Sequence, residues 1–535
     1  MKKIAPISRG YIQHLKTGWP RGIVTLGLAA LAAGLTGIFR WVERQPDLDA
    51  RMPEFIGLLL LAGILYVIGV FSVERFRLGA TALFIILAGA VLFRVALLPA
   101  RSTPSDDVYR YQWDGRAQRA HLNPYVVFPN SEGLDWLQNP DHPEPPGEET
   151  PTMYPPLSEF AFRLIETVPG YKRVSTTFDL ASAVVLMLLL AAKKQPLHRM
   201  LAYAWNPTVL LSFAMSGHFD SLAIVTFLTA LFFLVTNRPA LSMGAFALSF
   251  LSKFFPVLLL LTFLKRVRLV HVGLFASLIL AFYAPFLSAG WHLLDGARNY
   301  ARDWVNNGSL FHLLRFVAGS SAGGELVAAL MVLAAIGYLA KRRAAPLWSS
   351  LVLTGGVLLL SPTAYPWYFT WSIPFLCFYP SGAWLLMSVT SVLAYTPAIA
   401  YGAEEPLKNS LLMLSLEYGP VYLWLAYNCW AACGTKLSPG PQEVGLSAAG
   451  THATLPNEHS RWLIRNIGAR GRADGGVTSA RARRLSLVPA LACWFAPHHL
   501  ESTSRRWWRS RWTLVAALKQ WGPAVAQLRT GIEGR

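Results

Sequence analysis

Apolar runs separated by short basic clusters constrain this chain more than any other feature. Thirteen stretches rich in Leu, Ala, Val and Phe recur along the first 433 residues: 22–39, 55–73, 79–98, 178–192, 200–216, 219–236, 240–264, 269–287, 324–340, 347–361, 366–380, 383–400 and 411–433. Many are close to the roughly 20 residues that a helix needs to cross a ~30 Å hydrocarbon core. The composition agrees: 53% of the 535 residues are hydrophobic and 14% are charged, where a soluble domain carries about 25% charged residues. The expected fold is all-α, a polytopic transmembrane helix bundle of about 13 spans.

The basic clusters orient the spans, because Lys and Arg concentrate on the cytoplasmic side. The N-terminal arm (Lys2, Lys3, Arg9, Lys16, Arg21) is cytoplasmic on this rule, and no cleavable leader is expected. Glu74 to Arg77, Lys193-Lys194 with Arg199, Arg238, Lys265-Arg266 with Arg268, and Lys341 to Arg343 all fall on the same side only if 240–264 enters and returns. Lys253 and Pro256 lie at its middle, where a helix breaks, so 240–264 reads as a hairpin of two short helices. The loops 99–177 and 288–323 then lie on the outer face with the Lys253 tip.

The outer loop opens with Thr103 to Asn130 (TPSDDVYRYQWDGRAQRAHLNPYVVFPN). Ser105, Asp106 or Asp107 can cap a helix start, as can Thr103 ahead of Pro104. In that helix Asp107, Tyr111 and Asp114 share one side, and Asp106, Arg110 and Trp113 the next. Two readings compete for the aspartates. Either both are N-terminal charges favoured by the helix dipole, or one is a catalytic carboxylate.

Five further sites carry unusual residues on the same face: Met153 to Leu157 (MYPPL), Trp205-Asn206-Pro207 with Ser216 to Asp220 (SGHFD), Ser252 to Pro256 (SKFFP), Arg298 to Trp304, and Ser361 to Tyr368 (SPTAYPWY). His218 and Asp220 serve equally as a helix cap, and Tyr365 and Trp367 as interfacial belt residues. Lys253 is harder to place as filler. An ammonium at membrane depth costs roughly 2.5–3.5 kcal/mol on insertion scales, and such groups usually face a cavity or a partner. A phosphate is the natural anion for it.

Taken in order, SDDVYRYQWDGR, NPY, YPPL, WNP, SGHFD, SKFFP and SPTAYPWY resemble bacterial glycosyltransferases of the GT-C fold over residues 20–433. The likeness is to the polyprenol-phosphate-mannose-dependent mannosyltransferase-like group, the family 87 type. It implies an integral enzyme of the plasma membrane, with both termini cytoplasmic and its site on the outer face. The donor would be a polyprenyl-phosphate hexose, with mannose the sugar that this group implies, and the acceptor an envelope glycan or glycolipid, with inversion at the anomeric carbon. Asp107 matches the family's acidic residue by position, and the adjacent Asp106 leaves open which of the two is the base. Around them the expected site gathers Arg110, Tyr111, Trp113, Asp114, Tyr154, His218, Asp220, Lys253, Arg302, Tyr365 and Trp367.

The residue types suit that chemistry. A carboxylate can take the acceptor hydroxyl's proton, worth typically 10²–10⁴-fold. Lys253, His218 and Arg302 are the candidates to stabilise the leaving phosphate. Trp113, Tyr154 and Trp367 offer faces for a sugar or a lipid chain. No cofactor is expected: there is no nucleotide-binding glycine loop, and an acidic pair alone does not indicate a metal, although it could hold a divalent ion. The rival class is a transporter or flippase of lipid-linked sugars, which would keep its charges near the midplane rather than at the outer mouth. The four cysteines are read as packing residues, including Cys429 and Cys433 one turn apart.

Residues 434–535 break the pattern. They hold 15 Lys and Arg against 5 Asp and Glu, about half of the net charge of +19. Arg481 to Arg484 and Arg505 to Trp512 interleave basic and aromatic residues without the periodicity of a domain. This stretch reads as a disordered cytoplasmic tail; attachment to an anionic leaflet is the functional alternative, and no nucleic acid is expected.

Overall fold

The computed structural model describes residues 21–76, 78–140, 145–400 and 411–434. The basic N-terminal arm and the expected tail lie outside the described residues, apart from Arg21 and Gly434. The chain divides into a compact unit of residues 1–425 and a second of 426–535. Of the second unit, the described part is the end of one helix.

The fold is all-α and polytopic. Among the described residues there is no sheet, and the isolated bridges join Asn306 and Asn307 to Thr363. Helices α1 (Arg21–Glu43), α2 (Met52–Arg75) and α3 (Ala80–Leu97) pack together. Two short helices follow, α4 (Asp107–Arg119) and α5 (Pro156–Leu164), and then the long α6 (Val168–Ala192). The chain continues through α7 (Leu201–Ala204), α8 (Pro207–Leu210), α9 (Asp220–Val235), α10 (Pro239–Phe250), α11 (Leu260–Leu264) and α12 (Leu269–Tyr283). It then runs through α13 (Asp295–Asp303), α14 (Leu310–Ala318), α15 (Ser321–Lys341), α16 (Pro346–Leu360), α17 (Gly382–Thr390) and α18 (Leu411–Gly434).

Among the described residues six helices are long and apolar enough to cross a membrane, and seven if one bent pair counts as a single span. The thirteen apolar stretches of the sequence therefore do not map onto thirteen straight rods. Those at 200–216 and 219–236 form the bent pair, which turns by 119° at residues 216–219. The segment before the bend has a local signal at each end. The Asn206 side chain caps α8 by accepting from the backbone N–H groups of Thr208 and Val209, as expected for Asn before Pro. Gly217 then takes φ +74°, and a Cβ there would sit 3.1 Å from Lys172 Cγ.

Two other boundaries differ from the sequence reading or sharpen it. The stretch expected at 178–192 begins ten residues earlier. Thr167 accepts from Gly170 N–H with Pro169 in the first turn, so helix starts at Val168. The chain over 240–264 is interrupted as expected: α10 stops at Phe250, and helical backbone resumes at Phe255. Lys253 occupies the gap. The rigid Pro155-Pro156 turn is docked there, with Leu157 N–H donating to Leu251 C=O at 2.9 Å and the Ser158 hydroxyl to Ser252 C=O at 2.8 Å.

Deeper in the bundle, Arg94 on α3 and Asp179 on α6 form a two-toothed ion pair at 2.6 and 3.0 Å. The Tyr203 hydroxyl donates to Asp179 at 2.7 Å, and Arg94 donates to the carbonyls of Ala90 and Ala204. All three side chains are fully or almost fully buried. Taking two charges out of water is tolerable only when most of the remaining hydrogen-bonding positions are filled, and here four of the five guanidinium protons have acceptors. The pair locks α3, α6 and α7 together.

Candidate active site

α4 sits where the ends of α3, α6 and α9 and the break after α10 meet. Its inner face is held by an aromatic cluster. Tyr111 stacks on Phe162 at 4.6 Å between ring centroids, and Tyr154, Tyr171 and Phe219 close around them edge-on or tilted. The Tyr171 hydroxyl lies 2.9–3.0 Å from the carbonyls of Phe162, Tyr111 and Ile165. Gly115 allows the close approach of α4 and α5, because a Cβ there would meet the Phe162 carbonyl oxygen at 2.3 Å.

This packing presents Asp107 at the first turn of α4. Its carboxylate is 22% exposed and lies 3.4 Å from His218 Nδ1, and the Tyr111 hydroxyl is 3.5 Å away. Both are long contacts. Burial by itself would raise the Asp107 pKa. The hydrogen bond and charge of His218, then the charge of Lys253 and the Tyr111 hydroxyl, outweigh it and hold the carboxyl below its usual range. Asp106 is exposed at the N-cap, and its side chain makes no capping hydrogen bond. Asp107, rather than Asp106, points into the protein.

Behind Asp107 the His218 ring is 1% exposed and stacks on Trp367 at 4.2 Å, and Trp367 stacks on Tyr365 at 4.5 Å. A second stack runs Tyr368, Trp371, Phe255 at 4.6 and 4.3 Å. Lys253 stands between two rings, with its ammonium 5.4 Å from the Tyr154 centroid and 5.3 Å from that of Tyr368, within cation–π range. Asp220, wholly buried at the start of α9, accepts from Lys253 Nζ at 3.0 Å with one oxygen and from Trp371 Nε1 at 2.6 Å with the other.

Of the residues picked from sequence, Asp107, Tyr111, Tyr154, His218, Asp220, Lys253, Tyr365 and Trp367 thus come together. Four others lie elsewhere. Arg110 and Asp114 pair with each other at 3.0 Å, and Arg110 also donates to the carbonyls of Gly147 and Thr150. Trp113 is buried against Ala117 and Leu137. These three hold the loop under α4 on its far side. Arg302 is 75% exposed and paired with Asp303 at 2.8 Å.

The far side of α4 also holds Glu159, fully buried on α5, which accepts from Gln118 and Thr152 at 2.7 Å each. Burial first, then the nearby Asp114, pushes its carboxyl well above the usual range. Sequence reading missed Trp371 and Lys172; within the stretch Arg298 to Trp304 it picked Arg302 rather than Tyr300, whose hydroxyl lies 2.5 Å from that of Tyr368. Trp371 had a signal, since it continues the aromatic run one turn after Trp367. Lys172 lies between Tyr171 and Arg173, where nothing in the sequence sets it apart. Among the described residues no group of three or more His, Cys, Asp or Glu is placed to hold a metal ion.

Residues 21–268, just under half of the chain, match a family model described as alpha-(1->6)-mannopyranosyltransferase, N-terminal domain. The match covers α1 to α11 and, within them, every element of the cluster except the segment Tyr365–Trp371. It supports a mannosyltransferase family, and with it a glycosyltransferase that uses a sugar donor and a glycan acceptor. No curated protein and no solved structure matches the chain.

Proposed function

We propose that the protein transfers a mannosyl residue from a polyprenyl-phosphate mannose to a glycan or glycolipid acceptor, with Asp107 as the general base. The observation that carries this reading is the Asp107 carboxylate. It is partly exposed, kept ionised by His218 and Lys253, and set at the rim of aromatic surfaces that suit a sugar. In the proposed step the acceptor oxygen forms a bond to C1 of the donor sugar as its proton passes to Asp107. The C1–O bond to phosphate breaks, and polyprenyl phosphate leaves with the electron pair and an added negative charge. Attack opposite the leaving group inverts C1. Lys253, paired with Asp220, stands beside the sugar and helps to keep Asp107 ionised.

The motif likeness of the sequence supports the lipid-linked donor. The basic clusters support the non-cytoplasmic face of the plasma membrane as the side of the site. The test is incubation of the purified protein with a panel of polyprenyl-phosphate sugars and a glycan acceptor, scoring released polyprenyl phosphate. Release with the mannose donor is expected. Turnover only with nucleotide sugars, or movement of the intact lipid across vesicles without release, would refute the reading.

A further inference from the structure

The cation beside Asp107, Lys253, is already neutralised by Asp220. A second ammonium has none. Lys172, in the second turn of α6, is 3% exposed. It donates to the carbonyl oxygen of Ala100, and no carboxylate pairs with it among the described residues. An ammonium has three protons to donate, and a lone carbonyl leaves its charge uncompensated.

The two segments that touch Lys172 both carry buried polar atoms without partners. The first begins at the Ala100 carbonyl and continues as Arg101-Ser102-Thr103-Pro104-Ser105. The hydroxyls of Ser102, Thr103 and Ser105 are all buried and make no hydrogen bond among the described residues, and Ser102 and Ser105 are themselves more than nine-tenths buried. The second is Gly217-His218. Gly217 lies against the Lys172 stem, and the Nε2 atom of His218 is buried and unpartnered. Buried hydroxyls in folded proteins nearly always find a partner. Three in four residues without one, beside an ammonium without an anion, describe a site whose ligand is an oxyanion. Hydroxyls and an ammonium are the donors that phosphate oxygens take.

We propose that Lys172 with the hydroxyls of Ser102, Thr103 and Ser105 forms a phosphate subsite, and, resting on the function proposed above, that the phosphate is the one linking sugar to polyprenol. The subsite runs into α4 two residues before Asp107, so the loop that holds the phosphate also fixes the start of the helix bearing the base. Lys253 and Asp220 then act as a neutral pair beside the sugar, and Lys172 takes the anion.

The test measures binding of three phosphate probes to the full-length protein in lipid nanodiscs: polyprenyl phosphate, inorganic phosphate and phosphatidylglycerol. Polyprenol lacking phosphate is the control. Lys172→Met should weaken polyprenyl phosphate about 10- to 100-fold, the range for losing hydrogen bonds to a charged group, and leave polyprenol unchanged. Lys172→Arg should recover part of the loss. Without ligand, Lys172→Met should melt no lower than the native protein, because it removes an unpaired buried charge. Polyprenyl phosphate should raise the melting temperature of the native protein but not of the variant. Lower melting with unchanged binding would show a structural lysine and overturn the proposal. If Lys172→Met does not fold, Ser102→Ala/Ser105→Ala decides: unchanged polyprenyl phosphate affinity overturns the subsite. Lys172-dependent binding of phosphatidylglycerol or inorganic phosphate, with none of polyprenyl phosphate, would uphold the subsite and sink the donor reading instead.

Discussion

Asp220→Asn tests whether the cluster is held together by charge or only by shape. The substitution keeps the volume of a wholly buried side chain. Both partners of Asp220 are donors, the Lys253 ammonium at 3.0 Å and the Trp371 indole N–H at 2.6 Å. An amide has one acceptor oxygen and one NH₂ group, so one of the two donors must face another donor. The variant loses a charge-assisted hydrogen bond and leaves a buried group unsatisfied. Removing one partner of a buried ion pair typically costs 3–5 kcal/mol. Lys253 keeps 15% of its side chain exposed, so water relieves part of the loss and the lower end, about 3 kcal/mol, is expected. Unfolding in mixed micelles by added denaturing detergent, followed by Trp fluorescence, reads the stability. Lys253→Met added to Asp220→Asn removes the stranded ammonium and lets the amide oxygen turn to Trp371. The double variant should therefore recover about 1–2 kcal/mol of the loss, within the usual range of coupling between touching residues. Additive losses in the two single variants, or a neutral Asp220→Asn, would refute the argument that Asp220 acts as the counter-ion.

Asp107→Asn should cut turnover by about 10²–10⁴-fold with normal folding and insertion, and Asp106→Asn should be milder; an essential Asp106 beside a dispensable Asp107 would exchange their roles. Because His218 and Lys253 hold the Asp107 carboxyl below its unfolded value near 3.8, its contribution to stability is present above that value and is lost as pH falls through the folded one. The acid limb of the pH–rate profile should accordingly lie below the usual carboxylate range, and His218→Ala should move it upward. Glu159 runs the other way: its pKa is raised, so stability is full below its unfolded value near 4.5 and declines as pH rises through the folded one. Glu159→Gln should remove that decline in melting temperature between acid and neutral pH, and an unchanged pH dependence would show that the carboxyl is not held neutral. Gly115→Ala should destabilise by about 1–3 kcal/mol through overpacking against the Phe162 carbonyl, measured by the same detergent titration.

Local pattern was enough to read the helical class, the break at Lys253 and the start of α4 at the acidic run. Each rests on a short-range rule: an apolar run long enough to span, a charge followed by proline, a polar residue that can cap. The same rules located Asp107, His218, Asp220 and Lys253 as exceptions, since a charged group in an apolar setting demands a reason. Local pattern did not separate Arg110 and Asp114 from Asp107. They lie within one or two turns of the same helix, and only the loop carbonyls at Gly147 and Thr150 decide that Arg110 turns away from the cluster. Nor did it pair Lys253 with Asp220, 33 residues away, or Trp371 with Asp220, 151 residues away. Whether a buried charge has a counter-ion depends on which distant segment packs against it, and that is set by the bend at Gly217 and by the close approach at Gly115. For the same reason Lys172, an unremarkable basic residue in the sequence, becomes in the folded chain a buried ammonium with no anion beside it among the described residues.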